Sequence, residues 1–327
     1  MQGWAYSFFA RKVVGMKRMK MKISCGKTFK DGYEDYILDM KSRNLRDGTL
    51  LHYEQSIKQI YKRVPPDTLI SDMNEKTVPE FIIKLRDNPE INDVSLGTYA
   101  RDLKTLLRFF MRSGYLKKFD INIPKADKQP IETYTDDELR ALLEKPNLKK
   151  CTFPEYRCWV IINLFLSSGI RQNSLLNIQI KDIDFDNSIL YVNTTKNRKP
   201  LIIPMNEDML KILKEYVEQR GGHADDWLFC TWFGTKLDKR SLYQAMYEYN
   251  HNRGVEKTGI HRFRHTFAKK WVLMGGSVVS LQKVLGHSSL NITENYLNML
   301  TSDLKRDLDE INIIRSLKQE KIRMKRR

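Results

Sequence analysis

His261-Arg262-Phe263-Arg264-His265-Thr266-Phe267-Ala268 places two histidines and two arginines in the opening turns of a helix predicted over 261–274. Four other segments also set polar residues at turns and helix starts: Ser168-Gly169-Ile170-Arg171, Thr195-Lys196-Asn197, Leu285-Gly286-His287 and Asn295-Tyr296. Each is weak alone. A lone arginine is usually a cap or an ion-pair residue, a lone histidine a satisfied structural one, and a lone tyrosine on an amphipathic helix a packing residue. Order and spacing carry the information. Arg264 follows His261 by three residues, and Tyr296 follows His287 by nine.

Around these segments the chain reads as mostly helical. A capping box, Thr135-Asp136-Asp137-Glu138, opens a domain predicted over 135–300. Residues 156–168 form a strongly apolar helix that stops at Gly169. Short β-like runs at 189–193 and 200–204 flank the polar stretch 194–199 and predict a hairpin, with a third strand expected at Trp227–Cys230. Helices are expected at about 206–219, 239–252, 277–285 and 290–299.

Residues 28–115 predict a bundle of about four helices: 28–44, 47–64, 77–88 and 95–113. In the last, Leu96, Tyr99, Leu103, Leu106, Leu107 and Phe110 make an apolar stripe, while Arg101, Lys104, Arg108 and Arg112 share another face. Such a basic face is either simply solvated or tracks phosphates. Residues 116–134 read as a basic linker that includes Lys117, Lys118, Lys125 and Lys128. Residues 1–27 read as an N-terminal extension outside the folded domains. Residues 301–327 read as an amphipathic C-terminal helix, with Leu304, Leu308, Ile311, Ile314 and Leu317 on one face.

Of the 327 residues, 41% are hydrophobic and 30% charged, enough apolar material for two sizeable cores. The net charge of +17 points to a polyanionic partner, though charge alone does not separate DNA from RNA or from an anionic membrane surface. Four scattered cysteines suggest neither a zinc site nor a disulfide framework and fit a reducing cytosol. No apolar run approaches the roughly 18 residues that a membrane-spanning helix needs. The charges of the N-terminal stretch follow its apolar part, the wrong order for a signal peptide.

The five segments together resemble the tyrosine recombinases, the family that includes the phage integrases. Residues 135–300 resemble the catalytic domain and 28–115 the helical core-binding domain. The words His-Arg-Phe-Arg-His-Thr-Phe-Ala and Leu-Gly-His-Ser-Ser are close to the family's usual wording. The resemblance implies a mainly α fold, with an N-terminal helical DNA clamp and an α-rich catalytic domain carrying a small antiparallel sheet. Carried over by position, the catalytic set falls on Arg171, Lys196, His261, Arg264, His287 and Tyr296.

The chemistry accounts for these residue types. A phosphodiester is an anion that repels nucleophiles. Two guanidiniums can grip its non-bridging oxygens and stabilise the charge that develops there, the expected role of Arg171 and Arg264. The resemblance implies that Tyr296 attacks phosphorus and forms a 3′-phosphotyrosine. The leaving 5′-oxygen needs a proton, expected from Lys196 on the hairpin, with Lys199 on the same turn as the alternative. His261 and His287 would bind the phosphate or assist proton transfer from the phenol. His265 reads as structural or as a support to the site residues. Neither ATP, metal nor another cofactor is expected.

The expected partner is double-stranded DNA bearing specific recombination sites, met in the cytoplasm as part of the nucleoid. The protein is expected to be a monomer or dimer when free and a tetramer in the synapse, with the C-terminal helix docking on a neighbouring protomer, and with no membrane partner. Arg101, Lys104, Arg108, Arg112, Lys117, Lys118 and Lys125 are the expected DNA contacts. Competing readings are a topoisomerase with the same chemistry, a DNA-binding protein that has lost catalysis, and, ranked last, a histidine-dependent metal nuclease.

One position departs from the family pattern. An acidic residue commonly stands three positions after the first arginine, and here that position is Ser174. Asp182 or Asp184 compensates, or activity is reduced, or the site tolerates the loss. The last is the expectation.

Overall fold

The computed structural model describes residues 26–124, 132–195 and 199–287. These divide into two units, with the boundary at Lys128 and Gln129.

The first unit is a helical bundle of α1 (Phe29–Ser42), α2 (Asp47–Tyr61), α3 (Thr77–Arg86) and α4 (Asp93–Arg112). Side chains start two of them. Thr28 and Asp31 form a capping box on α1, and Asn92 accepts from the Ser95 amide to cap α4. The predicted stripe of α4 is the spine of the core. Leu103, Leu106, Leu107 and Phe110 have no solvent contact and pack with Phe29, Met40, Ile60 and Leu85. Leu116 and Ile121, just beyond α4, are buried in the same core.

The second unit is built around α6 (Phe153–Ser168), with α5 (Asp136–Leu143), α8 (Glu207–Arg220), α9 (Lys239–His251) and α10 (Ile260–Leu273) packed against it. It is buried on nearly all sides, from Tyr156 to Phe165, which explains its unbroken apolar sequence. The predicted capping box on α5 is formed, with Thr135 and Glu138 bonding each other's backbone amides. The remaining helices are α7 (Gln172–Leu175) and α11 (Val278–Leu285).

The sheet is small and antiparallel, in the order β1 (Ile183–Asp184), β2 (Ile189–Val192), β3 (Leu201–Pro204). Leu190 faces Ile203 and Val192 faces Leu201 in register. Leu190, Val192 and Ile203 point inward while Tyr191 and Ile202 are exposed, the alternation that made the hairpin legible. The third strand is not at Trp227–Cys230. That segment contributes only isolated bridges, Gln179 with Trp227 and Cys230 with Lys236. The third position belongs to Ile183–Asp184, whose two residues are too few to show a period. Asn187 closes the β1–β2 turn by bonding both oxygens of Asp184.

The helix expected at 290–299 and the C-terminal helix lie outside the described residues.

Candidate active site

Three segments meet where α6 and α11 end. Helix α6 stops at Gly169, which adopts the left-handed conformation at φ +60°. A Cβ there would sit 2.7 Å from a Leu285 methyl carbon and closer still to the Phe267 ring, so only glycine fits. Two residues later Arg171 stands at the N-cap position of α7. Helix α11 also stops on a left-handed glycine, Gly286 at φ +59°, and His287 follows it. The His287 amide donates to the Gln282 carbonyl at 3.0 Å, and Gln282 Nε2 donates back to the His287 carbonyl at 3.3 Å. Helix α10 supplies His261 in its first turn and Arg264 one turn later.

The last carbonyls of a helix lack partners within it and lie at its negative end. Here both arginines satisfy them. Arg171 Nη1 donates to the Leu285 carbonyl at 3.0 Å, and both its terminal nitrogens reach Gly286 O at 3.4 Å. Arg264 Nη2 donates to the same Leu285 carbonyl at 2.8 Å, and its Nη1 donates to Gly169 O, the cap of α6. Arg264 therefore ties two helix ends together, and one carbonyl oxygen holds both guanidiniums side by side. Arg264 is almost wholly buried, and Arg171 is partly so.

Arg264 Nη2 also lies 2.9 Å from His287 Nε2. A guanidinium only donates, so Nε2 accepts and the ring proton sits on Nδ1. Burial, then the charges of Arg264 and Arg171, push the His287 pKa down to about 4. His261 is lowered as well, by burial first and then by Arg264, Arg171 and Lys239. His265 is lowered by burial, His261, Arg264 and Arg262. Burial is the larger cause at each imidazole, and the two guanidiniums add to it; the same positive charges that disfavour a proton there attract an anion.

The expected residues thus fall into two groups. Arg171, Arg264 and His287 are in one hydrogen-bonded cluster, and His261 lies within its field. Lys196 and Tyr296 lie outside the described residues. Lys199, the alternative proton donor, is exposed, and its carbonyl accepts from Thr195 Oγ1 at 2.6 Å. Sequence reading missed the carbonyls of Gly169, Leu285 and Gly286 as the cradle for the arginines. Its signal was present as a helix-ending glycine before Arg171 and another before His287.

In the first unit, Arg108, Arg112 and Lys118 line one cleft with Met111 and Phe119. Arg108 is exposed. Arg112 lies 3.6 Å from Asp39 and over the Phe109 ring. Arg101 Nη2 donates to Thr98 Oγ1 at 3.1 Å, and half-buried Lys104 donates to the Ile121 carbonyl. Lys117 is exposed, and Lys125 lies outside the described residues.

The profile of the phage integrase family matches residues 132–302, over half of the chain. The chain belongs to the phage integrase family. Among curated relatives, a tyrosine recombinase of Pseudothermotoga lettingae is 25% identical over 298 residues, covering 88% of this chain and 97% of the relative. The tyrosine recombinase XerA of Saccharolobus solfataricus is 30% identical over 185 residues, covering 57% and 58%. Among solved structures, the Tn1549 transposon integrase in complex with transposon right end DNA aligns over 87% of this chain and 99% of its own. The TM-score is 0.69 at 19% identity. A lambda integrase(75–356) dimer bound to a COC′ core site aligns over 81% and 97%, with TM-score 0.65 and 19% identity. The mainly helical fold with a small antiparallel sheet is therefore the integrase fold. The family member described here is a site-specific DNA recombinase of the tyrosine type.

Proposed function

We propose that this integrase binds one scissile phosphodiester between Arg171 and Arg264 and transfers it to Tyr296. The observation that carries the reading is the pair of guanidiniums held at a shared carbonyl, with His287 Nε2 2.9 Å from one of them. Such donors are fixed before substrate arrives, so little reorganisation is needed as charge develops on the phosphoryl oxygens.

In the proposed step the Tyr296 phenolic oxygen forms a bond to phosphorus and the bond to the 5′-oxygen breaks. The phenol passes its proton to the neutral imidazole of His261, and Lys196 protonates the departing 5′-oxygen. The product is a 3′-phosphotyrosine diester, and attack by the 5′-hydroxyl of another strand reverses the step on a new partner. With its proton on Nδ1, His287 presents a donor and serves as a hydrogen-bond partner to phosphate. His261 is its companion on α10. No ATP, metal or other cofactor enters this scheme.

Residues 28–115 are proposed as the DNA clamp, with Arg101, Arg108 and Arg112 along the backbone, continued by Lys117, Lys118 and Lys125 of the linker. Lys104 contributes less, because its ammonium already serves the Ile121 carbonyl. The substrate is proposed to be a pair of specific DNA sites on a mobile element in the cytoplasm. A tetramer forms on it as residues 301–327 of each protomer dock on the next. A plasmid carrying two copies of the site tests the reading. Deleted or inverted products are expected. Relaxed plasmid without recombinants would replace it with the topoisomerase reading.

A further inference from the structure

The β2–β3 ladder ends at the pair Val192 and Leu201. Beyond it, three consecutive residues are each tied by a side-chain hydrogen bond. Asn193 Nδ2 donates to Asp182 Oδ1 at 2.9 Å, and the other oxygen of that buried carboxylate accepts from the Gln179 amide at 2.8 Å. The Thr194 carbonyl accepts from Ser174 Oγ at 2.7 Å. Thr195, itself buried, donates its hydroxyl to the Lys199 carbonyl at 2.6 Å. Asp184 is committed to Asn187 in the β1–β2 turn and takes no part.

The direction of the Ser174 bond is chemically fixed. A carbonyl oxygen only accepts, so the serine donates. Ser174 is 5% exposed, so solvent replaces a lost donor there poorly. An ionised carboxylate at this position would set two acceptors against each other in a buried place, which is costly. Serine here is therefore not a weakened version of an acidic residue. It does what an acidic residue cannot.

We propose that Ser174, Asp182 and Thr195 form a positioning clamp that fixes where the chain leaves β2 and re-enters β3, and so sets delivery of the proton to the 5′-oxygen. Ser174 also couples this clamp to the phosphate site, since it stands one helical turn after Arg171 on α7. The inference rests on the reading of Lys196 as the proton donor.

The test compares two nicked suicide DNA substrates, one ordinary and one with sulfur replacing the bridging 5′-oxygen at the scissile phosphate. A thiolate is a far better leaving group than an alkoxide and departs without a proton. Ser174→Ala, Ser174→Asp and Thr195→Val, each in the full chain, are expected to cleave the ordinary substrate about tenfold more slowly, a fraction of the 10²–10⁴ that general acid catalysis supplies. On the sulfur substrate each is expected to return to within about threefold of the unmodified protein. Equal slowing on both substrates would mean a merely structural role and overturn the proposal. So would unimpaired cleavage of the ordinary substrate, or faster cleavage by Ser174→Asp. If Ser174→Asp fails to fold, Ser174→Ala and the isosteric Thr195→Val decide. Lys196→Ala separates the two levels. If sulfur does not rescue it, the assignment of the proton donor fails. If sulfur rescues it while the clamp variants behave otherwise, only the clamp fails.

Discussion

Gly169→Ala probes the packing that sets both arginines. Alanine in the left-handed conformation costs about 1–2 kcal/mol. Its Cβ would also lie 2.7 Å from Leu285 and closer to Phe267, an overpacking that costs about 1–3 kcal/mol more. Together these give about 2–5 kcal/mol, or a fall in Tm of roughly 5–20 °C for a unit of this size. Relief of the clash moves the Gly169 carbonyl, which holds Arg264, or Leu285, whose carbonyl holds Arg264 and Arg171. A displacement of about 1 Å at such groups costs about 10²-fold in rate. Thermal unfolding and single-turnover cleavage, measured below the variant's Tm, report the two effects separately. Gly254→Ala is the control, because Gly254 shares the positive φ (+71°) but has no neighbour within 4 Å of a built Cβ. It is expected to lose only the strain energy and to keep its cleavage rate. If Gly169→Ala matched that control in both Tm and rate, the idea that glycine packing sets the arginines would be wrong.

Further outcomes follow from the field and from the first unit. His287 has its pKa lowered to about 4 in the folded protein, so between pH 4 and its ordinary value of 6.5 the unfolded chain binds more protons than the folded one. The contribution of His287 to stability is thus complete above pH 6.5 and is lost as pH falls toward 4. Urea unfolding without DNA should show that fall, and His287→Gln should reduce it, leaving the smaller part due to His261 and His265. A bound phosphate reverses the sign, because its charge favours imidazolium. DNA affinity should then rise from pH 7 to pH 5 with proton uptake, and a pH-independent affinity in calorimetry would refute the cationic field. Arg108→Ala should reduce the salt slope of DNA binding by about 0.9, the value for one lost phosphate contact. Arg112→Ala should reduce it less, since Asp39 already draws that guanidinium. Deleting residues 301–327 should abolish cooperative binding to paired sites while single-site affinity is kept, as gel-shift titration would measure.

Much of this was legible in the sequence because the deciding features are local. The capping box at Thr135, the all-round apolar run of α6 and its stop at Gly169 read directly as helix start, buried helix and helix end. The alternation across Leu190, Tyr191 and Val192 gave the hairpin. Strand β1 was hidden because two residues carry no period, and because Trp227–Cys230, more strand-like in composition, is occupied with bridges to Gln179 and Lys236. The candidate arginines and histidines were visible as residue types at a spacing. What held them was not visible, since the holding groups are backbone carbonyls of Gly169, Leu285 and Gly286, and any sequence supplies a carbonyl at every position. Ser174 read as a departure that the site tolerates, and the bond it makes was hidden for the same reason. Its partner is the Thr194 carbonyl, twenty residues away in sequence.

The central claim is that phosphate is transferred to Tyr296 at the pair of arginines, and trapping the covalent intermediate tests it most directly. A nicked suicide substrate lets the cleaved fragment diffuse away, so the protein stays joined to the 3′ end. Peptide mass spectrometry of the trapped complex should place the nucleotide adduct on Tyr296. Tyr296→Phe should give no adduct while still binding the DNA, and Arg264→Ala should form it far more slowly. An adduct on another residue, or one that persists in Tyr296→Phe, would contradict the account.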